Sequence, residues 1–319
     1  MAKVLVTGGA GFIGSHLCDK LIIDGHDVIC YDNLLTGKFK NIEHLIEEPG
    51  FEFVNGDIRD KELLGLKMQM CTHVTHQAAL GSVPRSVKDP ITTNEINILG
   101  SLNVLDEARI NSIERFVFAS SSSVYGDNLD MPKAESNTGN VLSPYAVTKS
   151  TIEDYARVFN LTYGLKTIGL RYFNVFGPRQ SPDGDYAAVI PVFMQSLKNN
   201  DQPTIFGDGE QTRDFSYISN IVNANMIALF GDVPNAYGNA YNVACGETIS
   251  INNLYYLIRD MLAEGLDKEI SINPNYEETR TGDIKDSLAD LTNIKKDLDY
   301  NPEIYVRDGM RETVKWFLS

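Results

Sequence analysis

Four cysteines in 319 residues are too few and too scattered for a disulfide framework or a metal ribbon. Cys18, Cys30, Cys71 and Cys245 form no Cys-x-x-Cys pair and read as buried reduced thiols. Histidine is scarce as well, and only His73 and His76 fall close together. They sit in a strand-like run, Thr72 to Gln77, where a spacing of three sends them to opposite faces, so no metal site is expected there. No apolar stretch approaches the roughly 18 residues of a membrane span. Basic residues number 28 against 43 acidic, a net charge of −15, which argues against nucleic acid or an anionic membrane as partner. A strand-like run begins by residue 3, so no leader is expected and the setting reads as cytoplasmic. Neither an internal repeat nor a low-complexity linker is present.

Strand-like and helix-like segments alternate from residue 3 to about 170. The strand candidates are 3–7, 27–31, 51–54, 72–77, 115–120 and 166–170, with helical patterns over 12–24, 90–111 and 144–163. Such alternation predicts an α/β fold with a doubly wound parallel sheet, a Rossmann architecture. From about 174 the alternation breaks into turn-rich pieces such as Gly177-Pro178 and Gly207-Asp208-Gly209. The expected organisation is a dinucleotide-binding domain over 1–173 and a smaller C-terminal α/β substrate-binding domain over 174–319. Parts of about 213–245 are expected to return to the first domain.

The opening strand, Lys3 to Thr7, runs into Gly8-Gly9-Ala10-Gly11-Phe12-Ile13-Gly14 and then into a helix. Glycines at 8, 11 and 14 permit a tight turn, close approach of a pyrophosphate, and tight helix–strand packing. Backbone N–H groups and the dipole at the helix start favour phosphates. The second strand ends at Asp32, 18 residues after Gly14. A carboxylate there accepts from ribose hydroxyls and repels a 2′-phosphate, which favours NAD over NADP.

Ser143-Pro144-Tyr145-Ala146-Val147-Thr148-Lys149 carries the chemistry. Ser143 suits an N-cap and Pro144 a first helical position, which puts Tyr145 in the first turn and Lys149 one turn later on the same face. With 15 tyrosines in the chain, a Tyr-x-x-x-Lys match alone means little; the glycine turn supplies the context. The lysine charge and the helix dipole both favour phenolate, so the Tyr145 pKa is expected to fall and the phenol to serve as a general base. In open α/β sheets ligands bind beyond the carboxyl ends of the strands. Asp57-Ile58, after the third strand, lies within reach of an adenine. The run Ser120 to Ser123, after the fifth, is expected to aim hydroxyls at the nicotinamide region.

Together these residues resemble the extended short-chain dehydrogenase/reductases of the nucleotide-sugar 4-epimerase type. The resemblance extends to Leu170-Arg171-Tyr172-Phe173-Asn174, Phe206-Gly207-Asp208-Gly209, Arg213-Asp214-Phe215 and Arg280-Thr281-Gly282-Asp283. The form Gln77-Ala78-Ala79-Leu80-Gly81-Ser82-Val83-Pro84-Arg85-Ser86 is similar to the branch acting on UDP-N-acetylhexosamines. The resemblance implies catalysis by Tyr145, Lys149 and Ser121, tightly held NAD, and a 4-keto sugar that turns before it is reduced again. Further cofactor contacts implied are Phe12, Ile13, Asn33, Thr36, Gly37, Gln77, Ala78, Ala79, Asn97 and Phe173. It places Asn174, Ala188, Val189, Thr204 and Phe206 around the uridine and phosphates. Arg213 and Arg280 answer the diphosphate, and Asp283 a ribose hydroxyl. A homodimer is implied through helices near 90–111 and 144–163.

Seven residues after Arg280, members restricted to non-acetylated sugars carry a bulky tyrosine, where this chain has Ser287. A small residue there leaves volume for a 2-acetamido group, with Gly81, Ser122, Asn174, Gln180 and Ala188 lining the same space. The expected activity is therefore interconversion of UDP-GlcNAc and UDP-GalNAc, with a UDP-glucose or UDP-glucuronate 4-epimerase as the alternative. A 4,6-dehydratase is disfavoured, because those enzymes carry an Asp-Glu pair where Ser122-Ser123 stands. A non-catalytic NAD-binding scaffold is the alternative of another class.

Overall fold

Near-continuous runs of buried residues, rather than alternating ones, form most strands of the first half. In Lys3–Thr7 (β1) every residue after Lys3 is buried, as expected for a parallel strand covered on both faces. The computed structural model describes residues 1–182, 188–279 and 285–319. After β1 come α1 (Phe12–Ile23), β2 (Asp27–Asp32), β3 (Phe51–Asn55), α2 (Lys61–Met68) and β4 (His73–His76). Next are α3 (Val83–Lys88), α4 (Pro90–Asn94), α5 (Ser101–Ile110), β5 (Arg115–Ser121), α6 (Pro144–Tyr163) and β6 (Thr167–Tyr172).

The second half begins with β7 (Val175–Phe176), α7 (Val189–Asn199), β8 (Thr204–Phe206), β9 (Thr212–Arg213) and β10 (Ser216–Tyr217). It continues through α8 (Ile218–Phe230), β11 (Asn239–Val243), β12 (Ile249–Ser250) and α9 (Ile251–Leu266). It ends with β13 (Asn275–Glu277), α10 (Thr292–Leu298) and α11 (Val306–Leu318).

Seven strands make one sheet in the order β11-β6-β5-β4-β1-β2-β3, and every neighbouring pair is parallel. This is the doubly wound Rossmann sheet. Its order reverses between β1 and β4, so a crevice opens there at the carboxyl ends. Leu5, Ile29 and Val74 pack toward α2, α5 and α6 on one face. Val4, Val6 and Val28 pack with residues of α1 and α8 on the other. His76 faces Ser101 of α5 and His73 faces Phe230 of α8, so the two rings occupy opposite faces. All four cysteines are free and buried. Among the described residues no helix is long and apolar enough to cross a membrane.

After β6 the chain makes small paired strands, β7 with β10, β8 with β13, and β9 with β12. α7, α9 and α11 pack together beside them, while α8 and β11 lie on the large sheet. One apolar core runs without interruption from Ile168 and Tyr172 in the sheet to Phe193, Tyr255 and Met310.

The helical stretch expected over 90–111 is not uniform: α4 widens into a π turn, Glu95–Gly100, before α5 begins. Within that turn Asn97 accepts from the Leu80 N–H at 2.8 Å and donates to its carbonyl at 3.2 Å. Such single π turns often serve functional sites, and this one fixes the loop after β4.

Candidate active site

The glycine turn is as close-packed as its sequence requires. Gly8 has φ +68°, and a Cβ on it would lie 2.7 Å from the Ala78 nitrogen. On Gly14 a Cβ would lie 2.1 Å from the Gly8 carbonyl oxygen, so α1 abuts β1 only because residue 14 has no side chain. The Gly11 N–H donates to the same carbonyl at 3.0 Å. Gly11 precedes α1, and no side chain caps this helix, so the first-turn N–H groups of Phe12 and Ile13 are left for a ligand. A cradle that any Cβ would fill, ending at an uncapped helix start, fits the pyrophosphate of a dinucleotide.

Next to the cradle lies a cavity whose lining includes Gly8, Asp32, Asn33, Thr36, Asp57, Ile58, Ala78 and Ala79. Asp32 accepts from the Ala10 and Leu34 N–H groups at 3.0 and 2.7 Å, and burial raises its pKa against these two bonds. Gly37 closes over this carboxylate, leaving no room for a side chain. Each carboxylate oxygen keeps lone-pair capacity for a ribose hydroxyl.

Three residues named from the sequence have side chains engaged by other residues of the protein. The Asp57 carboxylate is clamped by the Arg59 guanidinium, which holds its pKa down to about 2, and by Asn33. The Gln77 amide donates to Thr75 and Asn225 and accepts from Tyr172, a buried network beneath the sheet end. The Asn97 amide is engaged with Leu80 and Thr148 and braces the loop instead of presenting a polar group. Phe173 is fully buried against Tyr125, and its N–H donates to the Val243 carbonyl.

At the far side of the cradle α6 begins as read. The Ser143 hydroxyl accepts from the Ala146 N–H at 3.1 Å, and Pro144 occupies the first turn. The Tyr145 N–H is taken by the Ser86 hydroxyl of α3 at 3.0 Å, a contact the sequence did not disclose. The Ser121 hydroxyl at the end of β5 is hydrogen-bonded with the Tyr145 phenol, in the sense that favours the phenolate. Lys149 is buried, its Nζ donates to the Ala119 carbonyl at 2.7 Å, and it stands 5.8 Å from the Tyr145 ring centroid. Burial lowers the Lys149 pKa to about 8, with Glu153 acting in the opposite sense.

The expected fall in the Tyr145 pKa is not found. Enclosure of the phenol raises its pKa, and the Ser121 bond only partly offsets this. Charge and dipole were legible in the sequence, but desolvation depends on the assembled site and wins here.

On the C-terminal side a cavity of about 260 Å³ is lined by Asn174, Gln180, Ala188, Val189, Thr204, Phe206 and Arg213, among others. These residues come from five separate segments. Asn174, at φ +32°, donates through its amide to the Asp214 carbonyl at 3.0 Å. Asp214 is fully buried and accepts from the Cys245, Gly246 and Ala289 N–H groups, with burial raising its pKa to about 6. It ties the strand bearing Arg213 to the 285–289 segment. The Arg213 guanidinium donates to the Thr212 and Lys285 carbonyls at its edge of the cavity.

Gly81, Ser122 and Ser287 do not line this cavity. Gly81 is exposed, and a Cβ added there would meet nothing within 4 Å. Ser287 is half-buried, and its N–H donates to the Thr212 carbonyl beside Arg213. Arg280 and Asp283 lie outside the described residues.

Relatives share this whole plan. A putative UDP-glucose 4-epimerase of Methanocaldococcus jannaschii is 40% identical over 98% of this chain and 97% of its own length. The structure of the UDP-N-acetylglucosamine 4-epimerase from Methanobrevibacter ruminantium M1, in complex with UDP-N-acetylmuramic acid, is 41% identical. It superposes with a TM-score of 0.91 and covers 99% of this chain and 98% of that one. The UDP-glucose 4-epimerase of Thermotoga maritima with UDP-glucose is 35% identical, with a TM-score of 0.90 over 99% and 98% of the two chains. Residues 4–244 match the NAD dependent epimerase/dehydratase family, and the chain belongs to it.

Proposed function

We propose that the chain inverts C4 of a UDP-N-acetylhexosamine, interconverting UDP-GlcNAc and UDP-GalNAc. The observation that carries this reading is the meeting of Ser121, Tyr145 and Lys149 between the glycine cradle and the cavity around Asn174 and Arg213. NAD is the cofactor of the family. Gly8, Gly11 and Gly14 admit its pyrophosphate at the start of α1, and Asp32 receives the adenosine ribose. Bound NAD supplies a hydride acceptor at C4 and, once reduced, a hydride donor.

The chain's own residues handle the proton and the anchoring. Tyr145 accepts the proton of the 4-hydroxyl, with Ser121 bonded to the same oxygen and Lys149 supplying positive charge to the phenolate. When C4 is reduced again on its other face, the phenol returns the proton to the O4 oxygen. Asn174, Thr204, Phe206 and Arg213 hold the uridine diphosphate while the hexose turns, and Arg213 offsets the unfavourable net charge. The acetylated substrate is supported by the small Ser287 beside Arg213 and by the relative with a UDP-N-acetylglucosamine name. UDP-glucose is the second reading, favoured by the Methanocaldococcus relative.

The chain further pairs as a homodimer, supported by exposed Ile91, Leu99, Val147, Val158 and Leu161 on α4, α6 and the π turn between α4 and α5. Sedimentation should give twice the 35.5 kDa chain mass; a monomer at micromolar concentration refutes the pairing.

Turnover of UDP-GlcNAc, UDP-GalNAc, UDP-glucose, UDP-galactose and UDP-glucuronate by purified protein separates these readings. The acetylated pair should give the highest kcat/KM. A protein active only on non-acetylated sugars overturns the acetyl assignment, and one inactive on all five overturns the epimerase.

A further inference from the structure

Three consecutive residues at the end of β5 engage three residues spaced one turn apart on α6. The Ser121 hydroxyl bonds to Tyr145, the Ala119 carbonyl accepts from Lys149, and the Ser120 hydroxyl donates to Glu153. Tyr145, Lys149 and Glu153 follow each other at i, i+4 and i+8, a single stripe on the helix. Only the first two belong to the mechanism above.

Glu153 does more than fill the stripe. Its carboxylate also receives Arg171 of β6 in a paired contact, Nε to Oε1 at 2.9 Å and Nη2 to Oε2 at 2.7 Å. Both partners are largely shielded from water, with side-chain exposures of 7% for Arg171 and 15% for Glu153. Arg171 reaches on through Nη1 to the Tyr125 hydroxyl and the Glu135 carbonyl, and Tyr125 donates to Asn242 of β11. One carboxylate thus pins α6 to β5 and β6 directly beneath Ser121 and two turns from Tyr145. Planar two-point contacts of this kind fix geometry as well as charge.

We propose that Glu153 is a positioning residue for the epimerisation, setting the height of α6 against β5 and supplying the counter-charge that Lys149 needs in its buried place. The proposal rests on the epimerase reading. The groups facing this region are Lys149 and Tyr145 on α6 itself, Ser120 and Ser121 on β5, and Arg171 on β6. His76 on β4, kept neutral by burial, and Tyr125 and Glu135 after β5 complete the set. Glu153 acts on Lys149 in the sense that keeps the ammonium charged, against the burial that opposes it. Removing a negative charge favours deprotonation of every neighbour, so the Lys149 and Tyr145 titrations both move to lower pH.

The test is the pH profile of kcat for wild type, Glu153→Gln and the double variant Glu153→Gln/Arg171→Gln, each purified with NAD. Both limbs of the Glu153→Gln profile should move acidward by about one to two pH units, the scale for a charge two turns and one turn away at an effective dielectric near 20. The double variant leaves no unpaired buried guanidinium, so it folds even where the single variant does not, and its limbs should move the same way but by less, because loss of the Arg171 charge acts in the opposite sense. Profiles that keep the wild-type limbs in the variants, with only their height reduced, overturn the proposal. A wild type without turnover on any UDP-sugar overturns the epimerase reading instead, so the two failures are distinct.

Discussion

Replacing Gly14 by alanine tests whether the cradle is set by backbone contact. The added Cβ would start 2.1 Å from the Gly8 carbonyl oxygen and 2.8 Å from the Gly9 Cα, atoms that belong to the turn itself and have no rotamer to yield. α1 must recede from β1 by about 1 Å to restore an ordinary contact, and overpacking of this kind costs about 3 kcal/mol. In a chain of this size, with an unfolding entropy of about 0.7 kcal/mol/K, that lowers Tm by about 4–5 °C. The same displacement draws the Phe12 and Ile13 N–H groups away from a bound pyrophosphate, and about 1 Å of misplacement can cost about 100-fold in rate. Gly11→Ala is the internal comparison. Its Cβ would lie 3.1 Å from the same oxygen, so a few tenths of an ångström suffice and the cost stays below about 1 kcal/mol. Thermal melting and the NAD content after gel filtration read both variants. Equal losses in the two, or a Gly14→Ala protein with wild-type melting and full NAD, would refute the reasoning.

Two further outcomes follow from the site and its surroundings. His76 pairs with the Thr7 and Ser101 hydroxyls and is held by burial at a pKa of about 3, against roughly 6.5 in the unfolded chain. Between those values the unfolded chain binds the proton and the native one does not, so stability is full above about pH 6.5 and falls as pH drops. By pH 5 the loss is about 2 kcal/mol, and denaturant midpoints should show a shallower pH dependence in His76→Asn than in wild type. Ser287→Tyr, beside Arg213, should lower kcat/KM for acetylated UDP-sugars by about 100-fold while sparing UDP-glucose, and equal losses for both contradict the acetyl assignment.

Where a residue type is demanded by local backbone chemistry, the sequence was legible. The glycine turn and the bounds of α6, with Ser143 capping one end and Gly164 in the left-handed region at the other, need no tertiary contact to be seen. Burial was not legible, and so the Tyr145 pKa moved opposite to expectation. The partners of Gln77, Asn97 and Asp57 were not legible, because the fold decides them: Asn225, Leu80 and Arg59 engage those side chains. The π turn escaped for the same reason, since its register is fixed by the loop after β4. Past residue 174 the described strands other than β11 pair over only two or three residues, too short for any hydrophobic period to show. Glu153, Arg171 and Asp214 carried no signal of their own beyond lying in recognisable stretches, because a buried charge looks like a surface charge until its partners are known.

The central claim is that Tyr145 moves the proton while C4 is inverted on a tightly held dinucleotide. Its most direct measurement is C4-epimer formation from UDP-GlcNAc by wild type and Tyr145→Phe, each with its NAD content quantified. Wild type should form UDP-GalNAc, and the variant should retain NAD while losing at least about 100-fold in kcat. A Tyr145→Phe enzyme that epimerises at the wild-type rate would contradict the account.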